Sequence, residues 1–332
     1  MTISDLGEFG LIEAIAAGLP RGDRTIVGIG DDAAVLAAPD GRVVATTDLL
    51  IEGRHFRRDW SGPADIGAKA AAQNLADVAA MGAVPVALLV GFAAPGDLAV
   101  AWARDLVAGL AEECARAGAT VAGGDTSGAD TIVLAITALG DLGGRDPVTR
   151  SGARPGDVFA YAGVLGESAA GLALLEAGLT EPAALIAAHR RPAPRYPAGP
   201  EAAALGATAM IDVSDGLLAD AGHLARASGV QIDIATALLP GHPGLAAAAR
   251  VLSGDAVLGR DSGPGRPGAL GGDAVLDWVL TGGEDHALAA TFPPDCALPP
   301  HWAVIGQVRA GHGVLVNGSK MTGRAGWEHF GD

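Results

Sequence analysis

Apolar runs in this chain break off repeatedly into acidic, glycine-bearing turns, and that pattern constrains the fold more than any other feature. Four clusters stand out: Gly30-Asp31-Asp32, Thr46-Thr47-Asp48, Gly123-Gly124-Asp125 and Asp212-Val213-Ser214-Asp215-Gly216. Asp77 adds a fifth position inside the helical stretch Asn74-Leu75-Ala76-Asp77. Carboxylates at neighbouring strand ends can converge, because paired strands lie only about 5 Å apart. Loops at strand ends are also where open α/β sheets bind ligands. Helical periods are read at 9–19, 64–81, 98–117, 167–177 and 217–228. Strands are predicted at 43–47, 86–92, 120–122, 131–139, 158–161, 208–211, 232–235, 287–291, 303–308 and 314–316. The strand from 43 is expected to end at Asp48, and the one from 120 to lead straight into Gly123-Gly124-Asp125. The alternation predicts an α/β chain. A polar stretch at 143–157 interrupts it, which places a boundary between domains 1–142 and 143–332. Segments 189–200 and 253–272 read as a Pro-rich turn and a mobile surface loop.

With 49% apolar and 18% charged residues, the 332-residue chain has ample material for packed cores. Acidic residues number 38 against 22 basic, a net charge of -16, and the only lysines are Lys69 and Lys320. That balance argues against nucleic acid as a partner, since binding it needs a basic face. A phosphate ligand would have to arrive with cations. Cys114 and Cys296 match no zinc spacing, which predicts a reduced, cytoplasmic protein. Residues 1–10 lack a basic leader, and the longest apolar run, 83–95, contains Pro85 and is too short to span a bilayer. No membrane association is expected.

Converging carboxylates with neither His nor Cys among them suit a hard cation such as magnesium, which keeps coordination positions for waters and phosphates. The reading is a polyphosphate held through magnesium. Taken singly, each cluster has a plainer explanation, because Asp beside Gly forms turns and caps helices. Asp215, just ahead of the helix at 217–228, competes as a cap. Five such positions in one chain weigh against that explanation without removing it. The Gly-rich turns suit contact between backbone amides and phosphate, but no Gly-x-x-x-x-Gly-Lys-Ser/Thr sequence occurs. Arg150, in Thr149-Arg150-Ser151-Gly152, fits a phosphate fork and a surface ion pair equally. His189-Arg190-Arg191-Pro192 with Arg195 reads better as a solvated turn than as an anion contact. Lys69, Gln73 and Asp77, at i, i+4 and i+8, fit a helix-surface ladder. His55 fits both a substrate contact and a structural histidine. Glu284, in Thr281-Gly282-Gly283-Glu284-Asp285-His286, and Trp327, in Gly326-Trp327-Glu328-His329-Phe330, suit a cationic ring. For Trp327, packing is the plainer reading.

In order, the four acidic clusters, His55-Phe56, Asn74 to Ala83, Thr149-Arg150-Ser151-Gly152 and Gly282-Gly283-Glu284-Asp285 resemble the motifs of the thiamine-monophosphate kinases. These belong to an ATP-binding superfamily that includes aminoimidazole ribonucleotide synthetase and selenophosphate synthetase. The resemblance runs from about Gly7 to Phe330. It implies a two-domain, synthetase-like α/β fold, with an N-terminal domain that binds ATP and magnesium and forms a homodimer through its sheet. It also implies γ-phosphoryl transfer from ATP to thiamine monophosphate, giving thiamine diphosphate. Position by position, Asp32, Thr46, Thr47, Asp48, Asp77, Asp125, Asp212 and Asp215 match the set that holds several magnesium ions. Gly124, Asp125, Arg150 and Ser214 match ATP contacts, and His55, Glu284 and Trp327 match thiamine-phosphate contacts. Asp125, Arg150 and Asp212 match catalytic positions. Other superfamily readings fit less well. A selenophosphate synthetase would carry a reactive Cys near its start, whereas the first here is Cys114. A hydrogenase-maturation relative would end in a Cys-bearing tail, whereas this chain reads His329-Phe330-Gly331-Asp332. A non-catalytic magnesium–nucleotide binder explains the carboxylates but not His55, Glu284 and Trp327 together.

Overall fold

In the computed structural model, which describes residues 1–20, 22–29, 33–254, 274–321 and 326, the chain divides into two units. One is Met1–Val148 with Arg195–Ala204, the other Thr149–Pro194 with Leu205–Asp332. In the first unit, α1 (Ile3–Ala16) opens on a capping box in which the Thr2 hydroxyl and the Asp5 carboxylate accept each other's backbone amides. A short antiparallel pair, β1 (Thr25–Val27) and β2 (Val35–Leu36), follows. Then come β3 (Val44–Ile51), α2 (Pro63–Ala80), β4 (Val84–Ala94), α3 (Val100–Ala117), β5 (Thr120–Gly128) and β6 (Val133–Asp141). The strands form a sheet in the order β3-β6-β4-β5, antiparallel except for the β4–β5 pair.

Pro63 suits the first turn of α2, where its missing N–H would have no partner anyway. The helix lies against the sheet face that buries Leu50, Leu88, Phe92, Leu134 and Ile136. It also packs so closely on α3 that a Cβ at Gly109 would sit 2.0 Å from the Ala64 carbonyl oxygen, and one at Gly67 2.0 Å from that of Leu106. On the other face of the sheet, Leu49 is 54% exposed.

Both strands of the first unit that carry acid clusters run past their expected ends. β3 continues through Asp48 to Ile51, paired with β6 as far as Ile51↔Val133. β5 includes Gly123, Gly124 and Asp125, paired with β4. Ladder hydrogen bonds to a neighbouring strand outweigh the local turn preference of Gly and Asp. These clusters therefore sit within strands rather than at their tips.

The second unit holds β7 (Val158–Ala162), α4 (Glu167–Glu176) and α5 (Ala183–Arg190). Helix α6 (Ala198–Ala204) returns to the first unit. β8 (Ala209–Val213), α7 (Leu217–Ser228), β9 (Gln231–Ile234), a 3-10 turn (Thr236–Leu238), α8 (Pro243–Ser253), α9 (Ala274–Thr281), β10 (Ala287–Phe292), β11 (Trp302–Arg309) and β12 (Gly313–Val316) complete the second. Its sheet runs β12-β9-β11-β7-β10-β8. Phe159, Ile211, Val213, Leu217, Leu224, Ile232 and Ile305 belong to its main core, and Ala170, Leu174, Leu185 and Ile186 to a second one.

The stretch read as a turn at 189–200 holds the end of α5 and the start of α6. Tyr196, just before α6, donates its hydroxyl to Glu113, a buried acid on α3 that also accepts from Arg116 at 2.7 Å. A buried carboxylate needs such partners, and this one ties Arg195–Ala204 to the first unit. Beyond Gly254, the loop read at 253–272 lies outside the described residues. Among the described residues no helix is long and apolar enough to cross a membrane.

The α2–α3 contact leaves no room for a methyl group. Gly109→Ala is expected to destabilise the protein by about 1–3 kcal/mol through overpacking. Urea unfolding measures this directly, and an unchanged midpoint would show that the helices separate freely.

Candidate active site

In the first unit, strand and helix periodicities bring three of the expected residues together. Thr46 and Asp48 lie two apart on β3 and so share a face, the one covered by α2. The Thr46 hydroxyl donates to Asp77 at 2.9 Å. Gln73 donates to the Asp48 carboxylate at 3.2 Å, and the Asp48 amide donates to Asn74 Oδ1 at 3.1 Å. Gln73 and Asp77 thus face β3 rather than forming a solvent ladder, and Lys69 is buried, donating to the His55 carbonyl at 3.3 Å. His55 Nδ1 accepts the Ile51 amide at 3.0 Å, so the neutral ring carries its proton on Nε2.

Two other expected residues of this unit point elsewhere. Thr47 turns to the opposite face of β3, where its hydroxyl donates to the Ile136 carbonyl at 2.9 Å. Asp125 pairs with Gly91, which pairs with Ala135, which pairs with Leu49, so it shares the face of Leu49 rather than that of Asp48. β5 lies three strands from β3, or about 14 Å. Beside Asp125, the Gly124 backbone approaches β4 so closely that a Cβ would lie 2.1 Å from the Val90 carbonyl oxygen. Asp32 lies outside the described residues.

In the second unit, Asp212 near the end of β8 is buried and lies 3.1 Å from His286 Nδ1. The loop Ser214-Asp215-Gly216 leads into α7. Asp215 does not cap that helix, since Gly216 holds the cap position without a side-chain bond. Asp220, in the first turn, instead accepts the amides of Asp215 and Gly216, each at 3.1 Å. Loop 282–286 packs against this turn: a Cβ at Gly283 would lie 2.5 Å from the Ser214 carbonyl oxygen, which also accepts the Glu284 amide at 2.8 Å. Glu284 and His286 have φ of 64° and 53°, left-handed conformations that cost a non-glycine residue roughly 1–3 kcal/mol each. Between them the buried Asp285 accepts the amides of Gly166 and Ser168 at the start of α4. Gly326 is seated on the same turn, where a Cβ would be 2.5 Å from the Asp215 carbonyl oxygen, but Trp327 itself lies outside the described residues. Arg150 is exposed and belongs to a loop stapled by Ser228, whose hydroxyl donates to the Arg150 carbonyl at 3.2 Å and accepts the Gly152 amide at 3.1 Å. Burial and then the charges of Arg150 and Arg226 hold His223 below the ordinary imidazole range.

Three residues near these clusters escape a reading of the sequence. Burial, then the charge of Asp212, raises Asp220 to about 7, and burial raises Asp285 to about 7. His189 is not in a solvated turn: it is buried, 3.1 Å from the Ser168 hydroxyl and 3.5 Å from the Glu284 carboxylate. The available signal was its helical spacing from Leu185 and Ile186. The Thr46–Asp48–Asp77 donors are all oxygen, the type magnesium takes. Among the described residues no three His, Cys, Asp or Glu form a ready-made metal cage.

Residues 30–142 match the family described as AIR synthase related protein, N-terminal domain, and so place the first unit in that class. The whole chain is 48% identical to a thiamine-monophosphate kinase of Mycobacterium tuberculosis, covering 94% of that relative. It is 40% identical to one of Corynebacterium glutamicum, covering 99% of this chain and 95% of that one. The solved structure of AaThiL complexed with AMPPCP and TMP superposes with a TM-score of 0.76 at 34% identity, covering 99% of each chain. The chain belongs to the thiamine-monophosphate kinase family.

Because the folded Asp285 carboxyl holds its proton up to about pH 7, against about 3.9 when unfolded, the native state binds the extra proton between those values. Its contribution to stability is therefore present below that window and is lost as pH rises through it. Thermal unfolding from pH 4.5 to 8 should show a declining midpoint, and Asp285→Asn a shallower decline. Parallel curves would refute the assignment.

Proposed function

We propose that this chain transfers the γ-phosphoryl group of ATP to thiamine monophosphate, releasing ADP and thiamine diphosphate. The observation that carries the reading is the oxygen-only cluster Thr46–Asp48–Asp77, in a chain related along its whole length to thiamine-monophosphate kinases. By resemblance, Asp32, Thr46, Thr47, Asp48, Asp77 and Asp125 of the first unit, and Asp212 and Asp215 of the second, are the residues that would hold several magnesium ions. When bound, magnesium neutralises charge on the β- and γ-phosphates and polarises the transferring group. Gly124, Asp125 and Ser214 orient the nucleotide, and Arg150 forks onto a phosphate. His55, Glu284 and Trp327 hold thiamine monophosphate, with the Glu284 carboxylate set toward its cationic ring system. The acceptor is a phosphate oxygen, already ionised near neutral pH, so no general base is required. Its bond to the γ-phosphorus forms as the β–γ bridging bond breaks, and the bridging electron pair leaves on ADP. Asp125, Arg150 and Asp212 act at this step by charge and position.

Domain 1–142 takes the nucleotide, magnesium and dimer-forming roles, and 143–332 supplies the remaining contacts. The family resemblance supports a homodimer formed through the sheet of the N-terminal domain. Neither Cys114 nor Cys296 forms a disulfide, in keeping with a cytoplasmic enzyme.

With purified protein, magnesium and ATP, ADP release is expected on addition of thiamine monophosphate and absent with free thiamine. A nucleotide-binding protein without this activity would release no ADP with either. Asp125→Asn is expected to lower kcat about 10²-fold or more with an unchanged circular dichroism spectrum, and a normal rate would remove Asp125 from the reacting centre.

A further inference from the structure

Glu284 does not hold its position by itself. Its backbone is in the left-handed region, as is that of His286 two residues on, and such a backbone persists only where its surroundings over-determine it. Two buried groups do so. Asp285, at 3% exposure, is turned inward and accepts the backbone amides of Gly166 and Ser168, which clamps loop 282–286 to the first turn of α4. His189, on α5, approaches from behind: its Nδ1 lies 3.5 Å from Glu284 Oε2 and 3.1 Å from the Ser168 hydroxyl. A carboxylate beside that nitrogen favours a ring proton on Nδ1, and the Ser168 hydroxyl is a hydrogen-bond partner of the same nitrogen. The Ser168 amide serves Asp285 while its hydroxyl serves His189, so one residue at the start of α4 joins the two supports. The Glu284 side chain remains 35% exposed, which leaves part of its carboxylate open to a ligand.

We propose that His189 and Asp285 are positioning residues for Glu284, fixing its carboxylate from inside the fold so that its exposed side meets the cationic part of the acceptor substrate. The inference rests on the reading of Glu284 as a thiamine-phosphate contact. His189 does not touch substrate; it acts through Glu284.

Steady-state kinetics on the full chain test this with His189→Leu, His189→Asn, Glu284→Gln and the His189→Leu/Glu284→Gln double variant. His189→Leu should raise the KM for thiamine monophosphate about tenfold, the scale of losing the polar partner of a charged group. The KM for ATP and kcat should stay within about twofold, as for lost ground-state binding. His189→Asn, which keeps a donor near the Nδ1 position, should restore most of the affinity. The double variant should match Glu284→Gln alone, because residues that act through one another are not additive. Additive effects, or a His189→Leu variant that moves both KM values equally, overturn the positioning role. If Glu284→Gln leaves the KM for thiamine monophosphate unchanged, the underlying reading of Glu284 fails instead. If His189→Leu does not fold, Ser168→Ala decides: a selective rise in the same KM supports the proposal, and none refutes it.

Discussion

Asn74, wholly buried in α2, sets the geometry on which the first acid cluster depends. Its Oδ1 accepts the Asp48 amide and its Nδ2 donates to the Ala70 carbonyl of its own helix, so both ends of the amide are satisfied without water. A buried amide stripped of one partner costs free energy, and this pairing therefore fixes the register of α2 over β3. Once the register is set, residues 46 and 48 of the strand and 73 and 77 of the helix have no choice of neighbour. The glycine contact between α2 and α3 presses from behind, where a single methyl group would collide with backbone.

The second unit holds its acids by other means. A chain of net charge -16 has few cations to spend on them. Asp220 and Asp285 are therefore buried against backbone amides, two apiece, and Asp212 against a histidine. Burial opposes their ionisation, whereas the amides favour it. The balance, with the charge of Asp212 added at Asp220, holds the Asp220 and Asp285 carboxyls up at about 7. The Asp285 contacts tie down the loop in which two non-glycine residues, Glu284 and His286, keep a costly backbone conformation.

Much of this was legible from residue types and periods. The long helix α2, the buried strands and the acid clusters announce themselves through patterns a few residues wide. Other features did not. β3 and β5 outrun their glycine and aspartate signals because the pairing partner is remote in sequence, as with Asp48 and Ile136, and propensity counts only near neighbours. Helices α5 and α6 were hidden by prolines and arginines, which read as a turn. His189 looked solvated beside two arginines, yet its own helix face turns it inward with Leu185 and Ile186.

Sequence alone determined which groups are available: oxygen donors rather than thiols, two lysines rather than a basic face, and an ordered set of short motifs. It did so because residue chemistry and short-range periodicity are local properties. Only the tertiary structure decided which of those groups meet. Adjacent threonines, Thr46 and Thr47, go to opposite faces of one strand. Asp125 lies three strands from Asp48 within the chain, and Glu284 gains a histidine 95 residues away. Partnership depends on strand order, helix register and burial, which are set by the whole chain at once and leave no mark on any single stretch of it.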